Sequence, residues 1–130
     1  AFDNKRSFIS VDNLCFLVNA MMQRKDISSG IYNFADDNSL STNEVVSVIS
    51  RVLGKSTKLW NISTSVIKAI AKLGDRLSLP LNSERLKKLT ESYVVSNQKI
   101  KTALGIEKLP LSAKEGMELT IKSFAEKSNK

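Results

Sequence analysis

With 130 residues the chain has one domain's length, enough for a single core that buries roughly two-thirds of the unfolded surface. Its 42% hydrophobic and 25% charged residues are those of an average folded domain and exclude disorder or a fibrous repeat. One Cys and no His exclude an internal disulfide, the usual zinc ligand sets and every His-based nucleophile pair.

A lone Cys15 fits a reducing, cytoplasmic compartment. The net charge of +7 suits an anionic partner. The basic residues are scattered, however, at Lys5-Arg6, Arg24-Lys25, Arg51 to Lys58 and Arg85 to Lys88. With few aromatics between them, they lack the footprint of a nucleic-acid binder. No stretch reaches the ~20 apolar residues of a membrane span. The nearest, Leu14 to Met22, is interrupted by Asn19. The start, Ala1-Phe2-Asp3, has neither a Met nor a signal-peptide core, and the chain is expected to be cut from something longer.

In chain order, Ser7 to Val11 alternates polar and apolar residues and predicts a short strand. Asp12 is the expected cap of a helix that is apolar from Leu14 to about Gln23 and must be covered on more than one face. Ile31 to Ala35 predicts a second strand, ended by Asp36-Asp37-Asn38. Ser41-Thr42-Asn43-Glu44 is a capping box. It opens a helix with Val45, Val46, Ile49, Val52 and Leu53 on one face and Gly54 at a left-handed C-terminal cap. Lys58 to Ile62 is a short strand or extended linker, and Ser63 caps a helix carrying Val66, Ile67, Ile70 and Leu73, broken from Gly74 to Pro80.

Ser83 to Thr90 is a basic helix or turn, Ser92 to Val95 is extended, and Asn97 to Leu104 is a helix ended by Gly105. Ser112 to Glu115 repeats the capping box and opens a last helix through Met117, Ile121 and Phe124. The tail 128–130 frays. The fold class is therefore α+β and mostly helical, with two or three short strands and about five helices in one domain, 1–127. A pair of short strands is marginal unless it packs on helices or joins a larger sheet, which hints at a missing partner element.

Few constellations carry chemistry. The five Gly residues form neither a dinucleotide nor a triphosphate cradle. Asp36 and Asp37 read as turn residues rather than an acid–base pair. Cys15, in the apolar helix, reads as an inert small hydrophobe, and Trp60 as a core or pocket-wall aromatic. Arg6 stands out: placed before the first strand, its fork could take a phosphate bidentately or could be a solvated charge. Arg85, Lys87 and Lys88 could likewise converge on an anion or coat a helix.

Taken together, the pieces resemble the NAD-dependent epimerase/dehydratase family, the extended short-chain dehydrogenases that act on nucleotide sugars. The run Arg6-Ser7-Phe8-Ile9-Ser10-Val11-Asp12-Asn13-Leu14 is similar to that family's Arg-(Ser/Asp)-(Phe/Tyr)-(Ile/Val)-x-Val-Asp-(Asp/Asn)-Leu segment. Gly30 to Asp36 is similar to its Gly-x-(Tyr/Phe)-Asn-(Val/Ile)-x-(Asp/Gly). Ser41 to Glu44, Ser92 to Gly105 and Leu111 to Phe124 resemble later segments in the same order. Ser96 where the family has Asp, and Ile106 where it has Trp, depart from the pattern.

The resemblance is to the C-terminal, substrate-binding part of such an enzyme. It implies a Rossmann half upstream, carrying NAD(P) and the catalytic Tyr and Lys, so that this chain holds no catalytic, cofactor-binding or metal-binding residue and is inactive alone. It implies a nucleotide-sugar substrate, by texture a UDP-sugar of bacterial surface-polysaccharide synthesis, with Arg6 on the diphosphate. A second phosphate-contacting position falls at Lys88, a point charge rather than a fork, with Arg85 beside it. The surface left by the missing half is expected to drive self-association, most simply a homodimer burying Phe16, Met21, Met22 and the Tyr32 strand edge. The alternative is a stand-alone, non-enzymatic basic module that binds nucleic acid or acts as a protein adaptor.

Overall fold

A computed structural model describes residues 4–57, 63–77 and 82–128. Among these the architecture is α+β and mostly helical, with six helices and a two-stranded antiparallel sheet. The expectations at Lys58 to Ile62, including Trp60, at Pro80 and at residues 129–130 lie outside the described residues.

The first strand is not Ser7 to Val11. It is β1, Lys5–Arg6, paired antiparallel with β2, Leu40–Ser41, with Lys5 opposite Ser41 and Arg6 opposite Leu40. On its other side, Arg6 bridges Tyr93 in parallel. The Ser7 amide donates to the Tyr93 carbonyl at 2.8 Å and the Tyr93 amide to the Lys5 carbonyl at 2.9 Å. The extended Ser92 to Val95 segment therefore does join the sheet, through this single bridge.

Ile31 to Ala35 is not a strand either. Its burial alternates as the sequence pattern requires, Ile31 and Asn33 outward, Tyr32, Phe34 and Ala35 inward. Among the described residues, however, no neighbouring strand runs alongside it; Tyr32 and Phe34 pack on the core, and the Ile31 and Ala35 carbonyls accept from the side chains of Lys99 and Asn97.

Helix α1, Val11–Met22, is capped by Ser10, whose hydroxyl accepts from the Asn13 amide; Asp12, the expected cap, lies inside the first turn. Ser10 takes the role because its backbone is extended, as an N-cap requires. Nor is α1 covered all round. Asn13 and Leu17 are buried and Ala20 and Met21 half-buried, while Val11, Leu14, Cys15, Phe16, Val18 and Met22 are exposed. Cys15 is thus a surface thiol rather than a core residue.

Leu17 meets Ile100, Leu104 and Leu109 in the main core, with Ile9, Ile27, Tyr32, Phe34 and Ile106 packed against them. Helix α5, Gln98–Leu104, supplies two of these and ends at Gly105, whose φ of +68° is the left-handed conformation that turns the chain back toward Leu109.

Helix α2, Thr42–Val52, has the expected reciprocal capping box of Ser41 and Glu44. Its buried centre is Val48, and Ile49 and Leu53 are exposed, so its inner face is rotated from the one expected. It packs on α6, Ala113–Ser128, and the two are joined by a Lys114–Glu44 ion pair at 2.8 Å. The last residue of α6 lies one past the expected end of the domain. Helix α3, Thr64–Leu77, continues through Gly74 rather than breaking there. Gly74 and Ala71 are buried, and α3 packs on α4, Ser83–Thr90.

Candidate functional site

Two polar clusters flank the Lys5–Ser7 segment. The first lies at its Asp36 side. Asp36, buried, accepts from the Ser10 amide at 3.2 Å and from Asn13 Nδ2 at 2.7 Å. Asn13, fully buried, also donates to the Leu111 carbonyl at 2.8 Å and accepts from the Leu111 amide at 3.0 Å.

Asp37 accepts from Lys101 Nζ at 2.7 Å, from Asn97 Nδ2 at 2.9 Å and from the Leu109 amide at 2.9 Å. Burial pushes its carboxyl up, but the Lys101, Leu109 and Asn97 hydrogen bonds outweigh that and leave it below its ordinary value. A polar cavity of about 460 Å³ opens beside these groups, lined by Lys5, Ser7, Ser39, Ser96 and Gln98 among others. Asp36 takes its bonds on Oδ1 and Asp37 on both oxygens, so the two carboxylates tie the loop after Ala35 to α1, α5 and the Leu109 segment. They are therefore more than the simple turn residues that the sequence suggested. The sequence signal for them was Asn13, a polar residue on the inward face of an apolar helix.

The second cluster is built on Arg6 and α4. Asn82 caps α4 through a hydrogen bond from the Arg85 amide at 2.9 Å. The last carbonyls of such a short helix have no intrahelical donors, and the Arg6 Nη2 donates to the Lys88 carbonyl. The guanidinium carbon stands 5.8 Å from the centre of the Tyr93 ring, within range of a cation–π attraction. Arg6 Nε is buried with no acceptor. None of the ion pairs among the described residues involves Arg6.

Lys88 Nζ lies 2.7 Å from Glu84 Oε1, one turn earlier on the same exposed face. That hydrogen bond raises Lys88 and lowers Glu84, and Arg85 is near enough to act on both. The Tyr93 hydroxyl donates to Glu91 at 2.9 Å. Its titration is raised chiefly by that bond and is opposed by the charges of Arg6 and Lys88.

The structure brings two of the residues that the sequence singled out into contact, and Lys87 faces the groove between α3 and α4 instead. Arg6 meets the backbone of Lys88 directly, and Arg85 lies three residues before Lys88 on one helix. Tyr93 is the member that sequence reasoning missed; its signal was its place in the extended segment that pairs with Arg6. Chemically the corner is cationic, with one fork unpaired at Nε and an exposed lysine held only by an exposed carboxylate. Comparison with protein-family models, with curated proteins and with solved structures finds no match for this chain.

Proposed function

We propose that the chain is the substrate-binding part of an NAD-dependent nucleotide-sugar epimerase or dehydratase, and that the Arg6 corner holds the diphosphate of its substrate. The observation that carries the reading is the state of Arg6. A buried, charged N–H without an acceptor costs about 1–3 kcal/mol or more, and its donor set matches a phosphate geometrically. Lys88 acts on Tyr93 together with Arg6, Arg85 is near Lys88, and the exposed Lys88–Glu84 pair is weak enough to exchange its carboxylate for a phosphate.

The sugar and nucleotide are those of the resemblance, a UDP-sugar of surface-polysaccharide synthesis, made in the cytoplasm. NAD(P) and the catalytic Tyr and Lys belong to a Rossmann half, because this chain has no Gly-rich turn to cradle a dinucleotide. The exposed apolar row of α1 is the surface that half covers.

The test is a titration of isotopically labelled chain with a UDP-N-acetylhexosamine, followed by amide and side-chain resonances. Saturable shifts at Arg6, Arg85, Lys88 and Tyr93 are expected. Shifts confined to other residues, or none up to millimolar ligand, would refute the reading.

A further inference from the structure

Where α3 packs on α4, an open groove of about 330 Å³ lies between them, lined by Lys68 and Lys72 of α3 and by Ser83, Leu86, Lys87 and Thr90 of α4. Lys68 and Lys72 stand one turn apart and share a wall. Lys87 lines the groove from the other helix.

The groove offers donors of one kind. The Ser83 hydroxyl donates to Asp75 Oδ2, and the Thr90 hydroxyl to the Leu86 carbonyl at 2.9 Å. Each hydroxyl has spent its one hydrogen, so the side-chain donors left for a ligand are the three ammonium groups. Among the described residues no ion pair engages Lys68, Lys72 or Lys87. The carboxylates of both helices are taken: Asp75 also accepts from the Ser83 amide at 2.8 Å, and Glu84 pairs with Lys88 at 2.7 Å. With Asp75 counted beside Ser83, three ammonium groups against one carboxylate leave two positive charges unbalanced. The remaining lining is aliphatic, the half-buried Leu86 and the methylene stems of the lysines.

We propose that this groove binds a phosphate monoester with a small apolar body, its phosphate among the lysines and its body against Leu86 and the lysine stems. A phosphate monoester carries close to two negative charges at neutral pH and three acceptor oxygens. That matches the unbalanced charge and the three donors together. A monocarboxylate would leave charge unmatched, a neutral sugar needs a mixture of donors and acceptors, and a cation would meet like charge. The volume is at the small end of ligand sites, which suits a single ring or a short chain. The proposal does not draw on the diphosphate reading, and its readout falls on different residues.

The experiment is titration of the isotopically labelled chain with phenyl phosphate, with inorganic phosphate and with benzyl alcohol. It follows the Leu86 methyls, the lysine side chains and the amides of Lys68, Lys72, Ser83 and Lys87. Phenyl phosphate is expected to give saturable shifts at these positions, inorganic phosphate to bind several-fold more weakly, and benzyl alcohol not to saturate. An exposed ion pair contributes up to about a factor of five, so Lys87→Gln is expected to weaken phenyl phosphate about three- to fivefold, and Lys68→Gln with Lys72→Gln roughly tenfold. The amide spectrum verifies that the variants fold. Phenyl phosphate that shifts only Arg6, Tyr93 and their neighbours, or nothing up to tens of millimolar, overturns the proposal. So does equal affinity for inorganic phosphate, which would deny the apolar wall a part, or unchanged affinity in the folded lysine variants, which would deny the lysines theirs.

Discussion

Lys101 Nζ and Asp37 Oδ1 stand 2.7 Å apart with both side chains largely buried, joining α5 to the loop that follows Ala35. Asn97, the residue before α5, donates to the same carboxylate and to the Ala35 carbonyl, both at 2.9 Å. Breaking one side of a buried pair leaves the other charge uncompensated. Lys101→Met is accordingly expected to destabilise the fold by about 3 kcal/mol, read as a lowered urea midpoint at unchanged slope. An unchanged midpoint would mean that Leu109 and Asn97 suffice for Asp37.

Acid should weaken the α2–α6 contact progressively, down to about pH 2. Glu44 is held down to about 2 from an ordinary 4.5, first by its bond to Lys114 and then by the Ser41 amide and hydroxyl. A depressed carboxylate stabilises the fold fully above its unfolded pKa and loses that contribution as pH falls through its folded pKa. Glu44 therefore withdraws its share between about 4.5 and about 2, and Asp37, also lowered, adds to the loss in the acid range. The thermal midpoint of the wild-type chain is expected to fall across this window more steeply than that of Glu44→Gln.

Gly116 is where α6 meets the start of α1. A Cβ built there would come within 2.4 Å of Ser10 Cβ, closer than atoms can approach without backbone movement. Although Ala is the better helix former by about 1 kcal/mol, Gly116→Ala is expected to destabilise by about 1–3 kcal/mol through overpacking. A melting temperature that rises on this substitution would contradict the close contact.

The helices were legible because their ends are chemically marked: Ser41 with Glu44, Ser112 with Glu115, and Gly105 with its positive φ. The strands were not. A two-residue strand is defined by its partner, and nothing local announces that Lys5 pairs with Ser41 across the chain. Alternation at Ile31 to Ala35 reports burial, which the structure shows, but a ladder needs a neighbour that this sequence places elsewhere. Asp36 and Asp37 looked like turn residues because their partners, Asn13, Asn97 and Lys101, are far away in sequence. The Arg6 corner was legible only in part: Arg6 and α4 could be named, but their meeting through the Lys88 carbonyl and the Tyr93 ring is a product of folding.

The row Val11, Leu14, Val18 and Met22 on α1 is apolar and exposed, a patch of the kind that drives association. Met21 and Tyr32, expected in a dimer interface, pack against the chain's own core instead. Phe16 and Met22 remain available. Sedimentation is expected to show reversible dimers at high micromolar concentration, dissociated by Val18→Ser with Met22→Ser. A wild-type chain that stays monomeric there would contradict it.

The central claim, that Arg6 holds a diphosphate, is tested most directly by calorimetric titration of the wild-type chain and of Arg6→Ala with UDP and with uridine. The account expects UDP to bind, uridine to bind far more weakly, and Arg6→Ala to lose about 1.5–3 kcal/mol of UDP affinity, the worth of hydrogen bonds to a charged group. Equal affinity for UDP in the two proteins, or equal affinity of the wild-type chain for UDP and uridine, would contradict it.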